Sequence, residues 1–415
     1  MPDNSSFSSS VTTGPTLSLA GAGKCILSLL APLDAETIPL EQALGRIPCH
    51  SLKSTRPKPS FNQSTRDGYA VAGSGEIRGA SVAFTLTGEI AAGDTAPHFL
   101  RAGQAIRIMT GARMPRGGER VIPFEECREQ DGLLIVPQQY MEKKQLHIRR
   151  RGQDLAAGRV IARAGELLTP DHLLRLAENS LTEIEVHRSP RVAILCSGSE
   201  LVEPGSMLRP GQKISGNSTL LKALVQEQGG YCDLVRTADD SADAIAGTLQ
   251  ELLAHSPDLI LTTGGMGPGK FDLMERTVRA LGGTIHYSSL RVRPGKSTMF
   301  AHLETVPLFA LPGPPPAVRL LFHELVRPGL HRMQGNRKPR PDLQQAQLAE
   351  PVRSGASPHL NLKGAVAVLT GTMLFVRPAK KLETINSILH LRGKNRTFDP
   401  GEQISLRLLS CPHSC

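Results

Sequence analysis

The chain has 415 residues, more than a single hydrophobic core usually organises, so we expect roughly three or four domains. Hydrophobic residues make up 40% of the sequence and charged residues 21%, which is typical of a globular protein and excludes a largely disordered one. The formal net charge of +10 favours anionic ligands. Outside 149–151 and 337–340 the basic residues are scattered, and no aromatic-rich binding signature accompanies them, so we expect no nucleic-acid partner.

The apolar runs and the cysteines indicate in which cellular compartment the protein is expected. No window of about 18 apolar residues is present, and residues 1–15 read as a disordered tail without the features of a secretory signal, so we expect no membrane association. The seven cysteines are widely spaced and odd in number, which predicts reduced thiols in the cytoplasm. Cys411, His413 and Cys415 resemble a metal-binding tail, but zinc needs a fourth ligand, and we interpret the segment as a frayed terminus.

The first half of the chain predicts a helical region interrupted by a β-rich one. Apolar residues recur at helical spacing from Leu17 to Leu52, and again from Leu167 to Leu176. Between them, short β-like runs at 83–86, 105–109 and 133–136 alternate with Gly and Pro turns. We therefore predict one discontinuous domain, at residues 16–57 and 142–189, around a β-rich insert domain at 58–141.

The second half predicts an α/β domain followed by a β domain. Buried-strand runs at 191–196, 233–235, 259–261 and 306–311 alternate with helical runs at 217–228, 242–253, 273–281 and 317–326. This alternation predicts parallel βαβ units in a doubly wound sheet at residues 190–335. Short strands at 365–369, 373–376 and 404–408 predict a C-terminal β domain at 336–415. The fold class is therefore α/β multidomain.

Glycine-bearing segments follow three of the predicted strands in the α/β domain. They contain Ser197 and Gly198, Gly264 and Gly265, and Pro312 and Gly313. In open parallel sheets, ligands bind beyond the carboxyl ends of the strands, and glycine lets the backbone approach a phosphate or a ring closely. Any one of these segments could equally be a plain strand-to-helix turn, but three on one sheet edge predict a binding site.

Acidic residues accompany these segments, namely Glu200, Asp239, Asp240 and Asp272. Carboxylates would repel a phosphate-bearing ligand unless a hard divalent cation lay between them, so the pattern suggests a magnesium-bridged phosphate. The alternative is that Asp239 and Asp240 cap the following helix, while Asp272 stabilises the N-terminus of its own helix.

Six motifs resemble those of the molybdopterin molybdenumtransferases, the MoeA-like family related to the gephyrin E domain. In the family's order they are Ser64-Thr-Arg-Asp67-Gly-Tyr-Ala-Val71, Ile106-Arg-Ile-Met-Thr110-Gly-Ala112, Arg151-Gly-Gln-Asp154, Ser197-Gly-Ser-Glu200-Leu, Thr263-Gly-Gly265 and Pro294-Gly-Lys296. The resemblance runs from about Leu17 to Leu409. It implies a molybdopterin-binding, MogA-like α/β domain, an elongated shape for the split domain, the β insert and the C-terminal β domain. It also implies a homodimer, with the active cleft between the α/β domain of one subunit and the β insert of the other.

The resemblance implies a transferase of molybdenum cofactor biosynthesis, which converts adenylylated molybdopterin and molybdate into molybdenum cofactor and AMP with Mg²⁺. The catalytic residues it implies are Asp67, Thr110, Glu200 and Asp272, and the acidic residues at the strand ends supply the expected metal ligands Glu200, Asp239, Asp240 and Asp272. The implied substrate-binding residues are Ser64, Asp154, Ser197, Gly198, Gly264, Gly265, Arg293, Lys296, Pro312 and Gly313. Protein partners would be a pterin adenylyltransferase and proteins that mature molybdoenzymes.

Two of these assignments have structural alternatives. Asp154 could instead pair with the arginines at 149–151, and Lys296 could be a solvated loop charge or the partner of a nearby acid. On the functional reading, Arg293 and Lys296 flank a tight Pro-Gly turn that directs both cations towards the molybdate dianion.

The sequence also departs from the family pattern. Asn62-Gln63 stands where Asp-Asn is usual, Ser199 replaces an Asp, Gly267 a Ser and Pro314 an Asn. A proline has no N–H to donate. These changes fall on one wall of the implied pterin pocket, so either the ligand is held differently or catalysis has been lost. The second hypothesis is therefore a noncatalytic pterin- or molybdate-binding carrier or scaffold on the same fold.

Overall fold

The computed structural model describes residues 15–142, 145–266 and 273–414. The chain divides into two compact units: the first comprises Met1–His50, Ala164–Thr169 and Glu183–Cys415, and the second comprises Ser51–Arg163 and Pro170–Thr182. The four-domain division stays a prediction, and the predicted tail lies outside the described residues except for Pro15. None of the described helices has the length and apolar character needed to cross a membrane.

The first unit begins with strand β1 (Thr16–Leu17), helix α1 (Leu19–Leu29) and strand β2 (Ala35–Pro39). Ser18 caps α1, because its side-chain oxygen accepts the Gly21 N–H. A single turn of 3-10 helix follows at Leu40–Gln42. The helix predicted from Leu17 to Leu52 is therefore wrong beyond Leu29. Prolines at 32 and 39 interrupt helical hydrogen bonding, and β2 instead pairs with residues 183–187, far along the chain.

The second unit is mainly β-structure. Its strands are β3 (Leu52–Lys53), β4 (Gln63–Ser64), β5 (Gly68–Val71), β6 (Glu76–Arg78), β7 (Ser81–Ile90), β8 (Gln104–Ile108), β9 (Arg120–Pro123), β10 (Arg128–Gln130), β11 (Leu133–Pro137), β12 (Ile148–Arg149) and β13 (Val160–Ala162). Helix α2 (Pro170–Glu178) completes the unit. The main sheet has the order β10-β11-β7-β8-β5-β9, with β6 paired to β7. The runs predicted at 83–86 and 133–136 are confirmed within β7 and β11, and the run at 105–109 is confirmed up to Ile108, where β8 ends.

The α/β part of the first unit starts with strand β14. Its elements are β14 (Glu183–His187), β15 (Arg191–Ser197), β16 (Leu201–Val202), β17 (Lys213–Ile214), α3 (Gly216–Glu227), β18 (Tyr231–Ala238), α4 (Ala242–Ala254), β19 (Leu259–Thr263), α5 (Leu273–Ala280), β20 (Thr284–Tyr287), β21 (Ser289–Leu290), β22 (Val292–Arg293), β23 (Met299–Leu303), β24 (Val306–Leu311), α6 (Pro315–Leu321) and α7 (Arg327–Met333). A π-helical turn at Phe322–Val326 joins α6 to α7.

One six-stranded sheet organises this part, in the order β18-β15-β19-β24-β23-β20. The first four strands are parallel, which confirms the predicted βαβ units, and β23 and β20 add an antiparallel edge. Successive residues of β15 point to opposite faces: Ile194 packs with α1, α3 and α6, whereas Leu195 packs with α4 and α5. The sheet is therefore covered on both sides, and its central strands β15, β19 and β24 are almost entirely buried.

The C-terminal part of the first unit is a β-barrel. Its strands are β25 (Gln344–Leu348), β26 (Val352–Arg353), β27 (Leu360–Thr370), β28 (Met373–Pro378), β29 (Ser387–Leu391), β30 (Thr397–Phe398), β31 (Gln403–Leu408) and β32 (His413–Ser414). The pairings β27-β28-β25-β31-β29 close back onto β27. Strand β32 pairs with β27 through backbone hydrogen bonds. The prediction of a frayed terminus is therefore wrong for residues 413–414. Cys415 lies outside the described residues.

A buried cluster of charges joins the π-helical turn to the barrel. The side chain of Glu324 is fully buried; its carboxylate lies 2.8 Å from His390 Nε2 and accepts a hydrogen bond of 2.8 Å from Arg407 Nε. Arg340 lies 3.3 Å from the other carboxylate oxygen. Burial by itself would raise the pKa of Glu324, but the His390 hydrogen bond and the neighbouring positive charges outweigh it and lower the pKa to about 2. The carboxylate therefore stays ionised inside the protein.

Candidate functional site

The carboxyl ends of the parallel strands bring several predicted residues to one edge of the sheet. Ser197 ends β15, and Gly198 donates its N–H to the carbonyl of Ala238, the last residue of β18, at 3.0 Å. The Ser199 hydroxyl accepts the N–H of Asp240 at 3.0 Å. The segments that follow β15 and β18 are thus bound to each other. Ser199, one of the departures from the family pattern, supplies one of these bonds.

Gly264 follows β19 and lies directly against Ser197. Its φ is +90°, and a Cβ at this position would meet the Ser197 carbonyl oxygen at 2.2 Å and its Oγ at 2.6 Å. A side chain cannot occupy that space, so only glycine permits this approach of the two loops. The neighbouring Gly265 has φ +63° and accepts the N–H of Met274 at its carbonyl oxygen. The double glycine therefore closes one side of the strand-end site.

Three buried polar atoms at this edge have no partner among the described residues. They are Ser197 Oγ, Ser215 Oγ and Asn217 Oδ1. The amide nitrogen of Asn217 donates to the carbonyl of Gly313 at 2.7 Å, which ties the start of α3 to the segment after β24. Buried polar groups are nearly always hydrogen-bonded, so such a cluster is expected to contact water or a ligand.

Ser215 and Asn217 were missed by the sequence reasoning, which assigned the following run only to a helix. The available signal was a polar Ser-Gly-Asn segment at the N-terminus of α3, a position where backbone N–H groups are unsatisfied. Ser215 is the N-cap residue, yet its side chain caps no amide. The Ser215 hydroxyl is buried and has the Cys196 thiol as its neighbour.

The acidic residues lie at the same edge. Glu200 is half-buried, Asp239 and Asp240 are exposed, and Lys213 Nζ lies 3.9 Å from the Glu200 carboxylate. The alternative that Asp239 and Asp240 cap α4 is wrong, because the cap is Ser241, whose hydroxyl accepts the Ala244 N–H at 3.2 Å. Asp272 lies outside the described residues. Within the described ranges, no group of three or more His, Cys, Asp or Glu side chains could hold a metal ion.

The two cations of the Pro-Gly turn are exposed. Arg293 ends β22, and Lys296 lies shortly before β23. Because Met299 of β23 pairs with Ala310 near the end of β24, Lys296 lies towards the edge where the parallel strands end. Neither cation forms an ion pair with any residue of the described ranges. Their positive charges therefore remain available to an anion.

The wall formed by α6 lacks backbone donors. Pro314 is the N-cap residue, and prolines occupy the first two helical positions. The Pro314 carbonyl accepts the N–H groups of Ala317 and Val318. A helix N-terminus normally offers free N–H groups to an anion, but prolines have none. An anionic ligand must therefore find its donors on the other loops.

In the second unit, Asp67 and Thr110 form a hydrogen-bonded pair. One carboxylate oxygen of Asp67 accepts the Thr110 N–H at 2.6 Å and the Thr110 hydroxyl at 2.8 Å. These two bonds lower the pKa of Asp67 below its ordinary value. Ser64 is buried, and its hydroxyl donates to the Arg66 carbonyl while accepting the Arg66 N–H. Asp67 thus presents an exposed, ionised carboxylate that Thr110 orients.

Asp154 forms an ion pair with Arg149. Arg149 Nε donates to Asp154 Oδ1 at 2.9 Å, and Arg149 Nη2 lies 2.8 Å from Oδ2. The structural alternative, in which Asp154 pairs with one of the arginines at 149–151, is therefore confirmed. A substrate-binding role for Asp154 stays a prediction.

A doubly wound sheet with glycine loops and unpartnered polar atoms at its strand ends defines a small-molecule-binding α/β protein. The family described as MoeA N-terminal region (domain I and II) matches residues 17–179, and the one described as probable molybdopterin binding domain matches residues 193–332.

Individual relatives agree with these matches. Molybdopterin molybdenumtransferase from Staphylococcus epidermidis is 28% identical over 411 residues, covering 96% of this chain and 97% of its own. That of Staphylococcus aureus strain MSSA476 is 27% identical over 395 residues, covering 92% and 93%. The crystal structure of the molybdopterin biosynthesis moeA protein from Pyrococcus horikosii matches with a TM-score of 0.80 and 25% identity, over 96% of this chain and 100% of that one. The chain belongs to the MoeA-like molybdopterin molybdenumtransferase family, transferases of molybdenum cofactor biosynthesis.

Proposed function

We propose that this transferase inserts molybdate into adenylylated molybdopterin, cleaving the pyrophosphate bond and releasing AMP with the molybdenum cofactor. The observation that carries the proposal is the group of unpartnered buried atoms of Ser197, Ser215 and Asn217 beside Gly264. A pterin is flat and rich in hydrogen-bonding groups, so it suits a site where backbone approaches closely and polar atoms lack partners.

The charged residues at the strand ends fit the two anionic parts of this chemistry. Arg293 and Lys296 attract the molybdate dianion. Glu200, with Asp239 or Asp240, would hold Mg²⁺ through one or two carboxylates, the remaining ligands being substrate oxygens and water. Bound there, the ion would neutralise charge that develops on the pyrophosphate during cleavage. The absence of a three-ligand group among the described residues is compatible with this kind of site.

We assign Asp67 an orienting role. A carboxylate whose pKa is lowered is a weak proton acceptor, so Asp67 is better suited to hold a water molecule or a cation in place than to act as a general base. Thr110 keeps it ionised and directs its free oxygen. This role predicts that activity depends on the negative charge of Asp67.

The direct test is to incubate the pure protein with adenylylated molybdopterin, Mg²⁺ and molybdate, and to measure AMP. Glu200→Gln is expected to lower AMP release strongly, because the variant loses a carboxylate at the strand ends. Glu203→Gln is a matched control, since Glu203 belongs to the same segment and accepts a hydrogen bond from Thr237. Equal AMP release by both variants and the unmodified protein would contradict the assignment of Glu200. AMP release by Asp272→Asn, compared with the same control, tests the remaining predicted metal ligand.

We also propose a homodimer with composite sites, because the family resemblance places Asp67 of one subunit opposite Glu200 of the other. In a mixture of Asp67→Ala and Glu200→Ala subunits, random exchange makes half of the dimers mixed, and each mixed dimer contains one intact site. Activity should therefore return to about a quarter of the wild-type value. A monomer in light scattering, or no recovery after demonstrated exchange, would refute the composite site. Contacts with a pterin adenylyltransferase and with maturation proteins stay predictions.

The second candidate is a noncatalytic carrier of pterin or molybdate. The prolines that begin α6 favour it, because they remove backbone donors from one wall of the site. Binding of molybdopterin or molybdate in calorimetry without any AMP release would establish the carrier and exclude the insertase.

A further inference from the structure

The second unit contains a cleft of about 660 Å³ whose lining carries four arginines. Arg113 and Arg116 lie between β8 and β9, and Arg150 and Arg151 directly follow β12. None of the residues assigned above to the proposed reaction lines this cleft. The lining does share Asn62 with the departures from the family pattern and Arg151 with the Arg151–Asp154 motif, so the cleft adjoins the motif-bearing segments of the unit.

The positive charge of the cleft is not balanced by neighbouring carboxylates. Over residues 15–142, 145–266 and 273–414, none of the four guanidinium groups forms an ion pair. The acidic residue of the described lining, Glu119, is already paired with Arg120 at 2.9 Å. Four like charges around one cleft repel each other, and an anion bound between them removes that repulsion. The cleft is thus electrostatically prepared for a polyanion.

The backbone that carries the arginines is held in place by hydrogen bonds. The Asn62 carbonyl accepts the Met114 N–H at 2.8 Å, and its side-chain oxygen accepts the Arg151 N–H at 2.8 Å. One residue therefore joins the two arginine-bearing loops. Arg116 donates its N–H to His98 and accepts the Leu100 N–H. Asn62, a departure from the family pattern, thus has a structural role at this cleft.

The lining also has an apolar side. Phe61, with 37% of its surface exposed, contributes to it together with Met114 and Ile148. Guanidinium groups bind phosphate oxygens through paired hydrogen bonds. The volume of the cleft lies within the range of about 300–1,000 Å³ that is usual for small-molecule sites. We propose that this cleft binds a nucleotide, with its phosphates on the arginines and its base against Phe61. The proposal does not rest on the proposed insertase activity.

The test is calorimetric titration of the full-length protein with ATP at low ionic strength and without added metal. Arg113→Gln/Arg116→Gln is expected to raise the dissociation constant for ATP at least about tenfold, because two charged hydrogen-bond donors are lost. The matched control is Arg101→Gln, an exposed arginine of the same unit outside the cleft, which should change it less than about twofold. Arg150→Gln/Arg151→Gln tests the other loop independently, should the first pair fail to fold by circular dichroism.

Two further titrations identify the ligand class. Phe61→Ala should weaken ATP binding and leave pyrophosphate binding unchanged, since pyrophosphate has no base. Lys296→Glu should leave ATP binding intact; if it abolishes binding while the arginine variants do not, ATP binds at the strand ends and the proposal is wrong. Failure of ATP to bind, with binding of polyglutamate that the arginine variants lose, would assign the cleft to an acidic polypeptide and overturn the nucleotide proposal.

Discussion

Replacing Gly264 by alanine tests the close approach on which the strand-end site depends. Alanine at its φ of +90° costs about 1–2 kcal/mol, and the overlap of its Cβ with the Ser197 backbone costs about 1–3 kcal/mol more. The total is about 2–5 kcal/mol. Gly282 is the matched control, since its φ is +76° and a Cβ there would meet no atom within 4 Å. Gly282→Ala should therefore cost only the roughly 1–2 kcal/mol that alanine loses at a positive φ.

Hydrogen exchange of the β15 and β19 amides is the suitable assay, because a multidomain chain need not unfold in a single step. We expect the free energy of local opening to fall by about 1–3 kcal/mol more in Gly264→Ala than in Gly282→Ala. The effect of alanine on the unfolded chain is shared by both variants and cancels in the comparison. Pterin binding should also weaken in Gly264→Ala alone. Equal loss of protection in the two variants would show that Gly264 is not required for the approach to Ser197.

Glu324→Gln should lower the free energy of local opening of the barrel amides, measured by hydrogen exchange, by about 3–5 kcal/mol, because Arg407 and Arg340 lose their buried anion, whereas Glu350→Gln, at an exposed carboxylate 3.9 Å from Arg377, should change it little. Since the pKa of Glu324 falls from 4.5 to about 2 on folding, its contribution is complete above pH 4.5 and is lost as the pH drops towards 2; a pH-independent difference between wild type and Glu324→Gln would contradict this. Thr110→Val removes the hydroxyl but keeps the N–H, so the pKa of Asp67 measured by NMR should rise towards its ordinary value, and no rise would dismiss the hydroxyl bond. Lys296→Glu should abolish saturable molybdate binding, for which sulfate competes in the wild type; equal binding would move the oxyanion site elsewhere.

Local pattern alone determined much of the α/β part of the chain. The run at 306–311 coincides with β24, and the helical runs at 242–253 and 273–281 differ from α4 and α5 by a single residue at one end. These elements are predictable because the length of each apolar run, its periodicity and the turn residues at its ends together distinguish a strand from a helix. The ends of the parallel strands then follow from chain order, which is why Ser197, Glu200 and Gly264 could be placed at one edge.

Other features depended on partners distant in the chain. Strand β2 has an apolar spacing compatible with a helix, and its pairing with β14, about 150 residues later, is decided only in the folded chain. Strands β20 and β23 were missed because they are only four and five residues long and are defined by the antiparallel pairing at the sheet edge. The missing hydrogen-bond partners of Ser215 and Asn217 and the meeting of four arginines in one cleft could not be predicted, for the same reason. Whether a polar atom has a partner depends on which loops meet, and only the tertiary structure determines that.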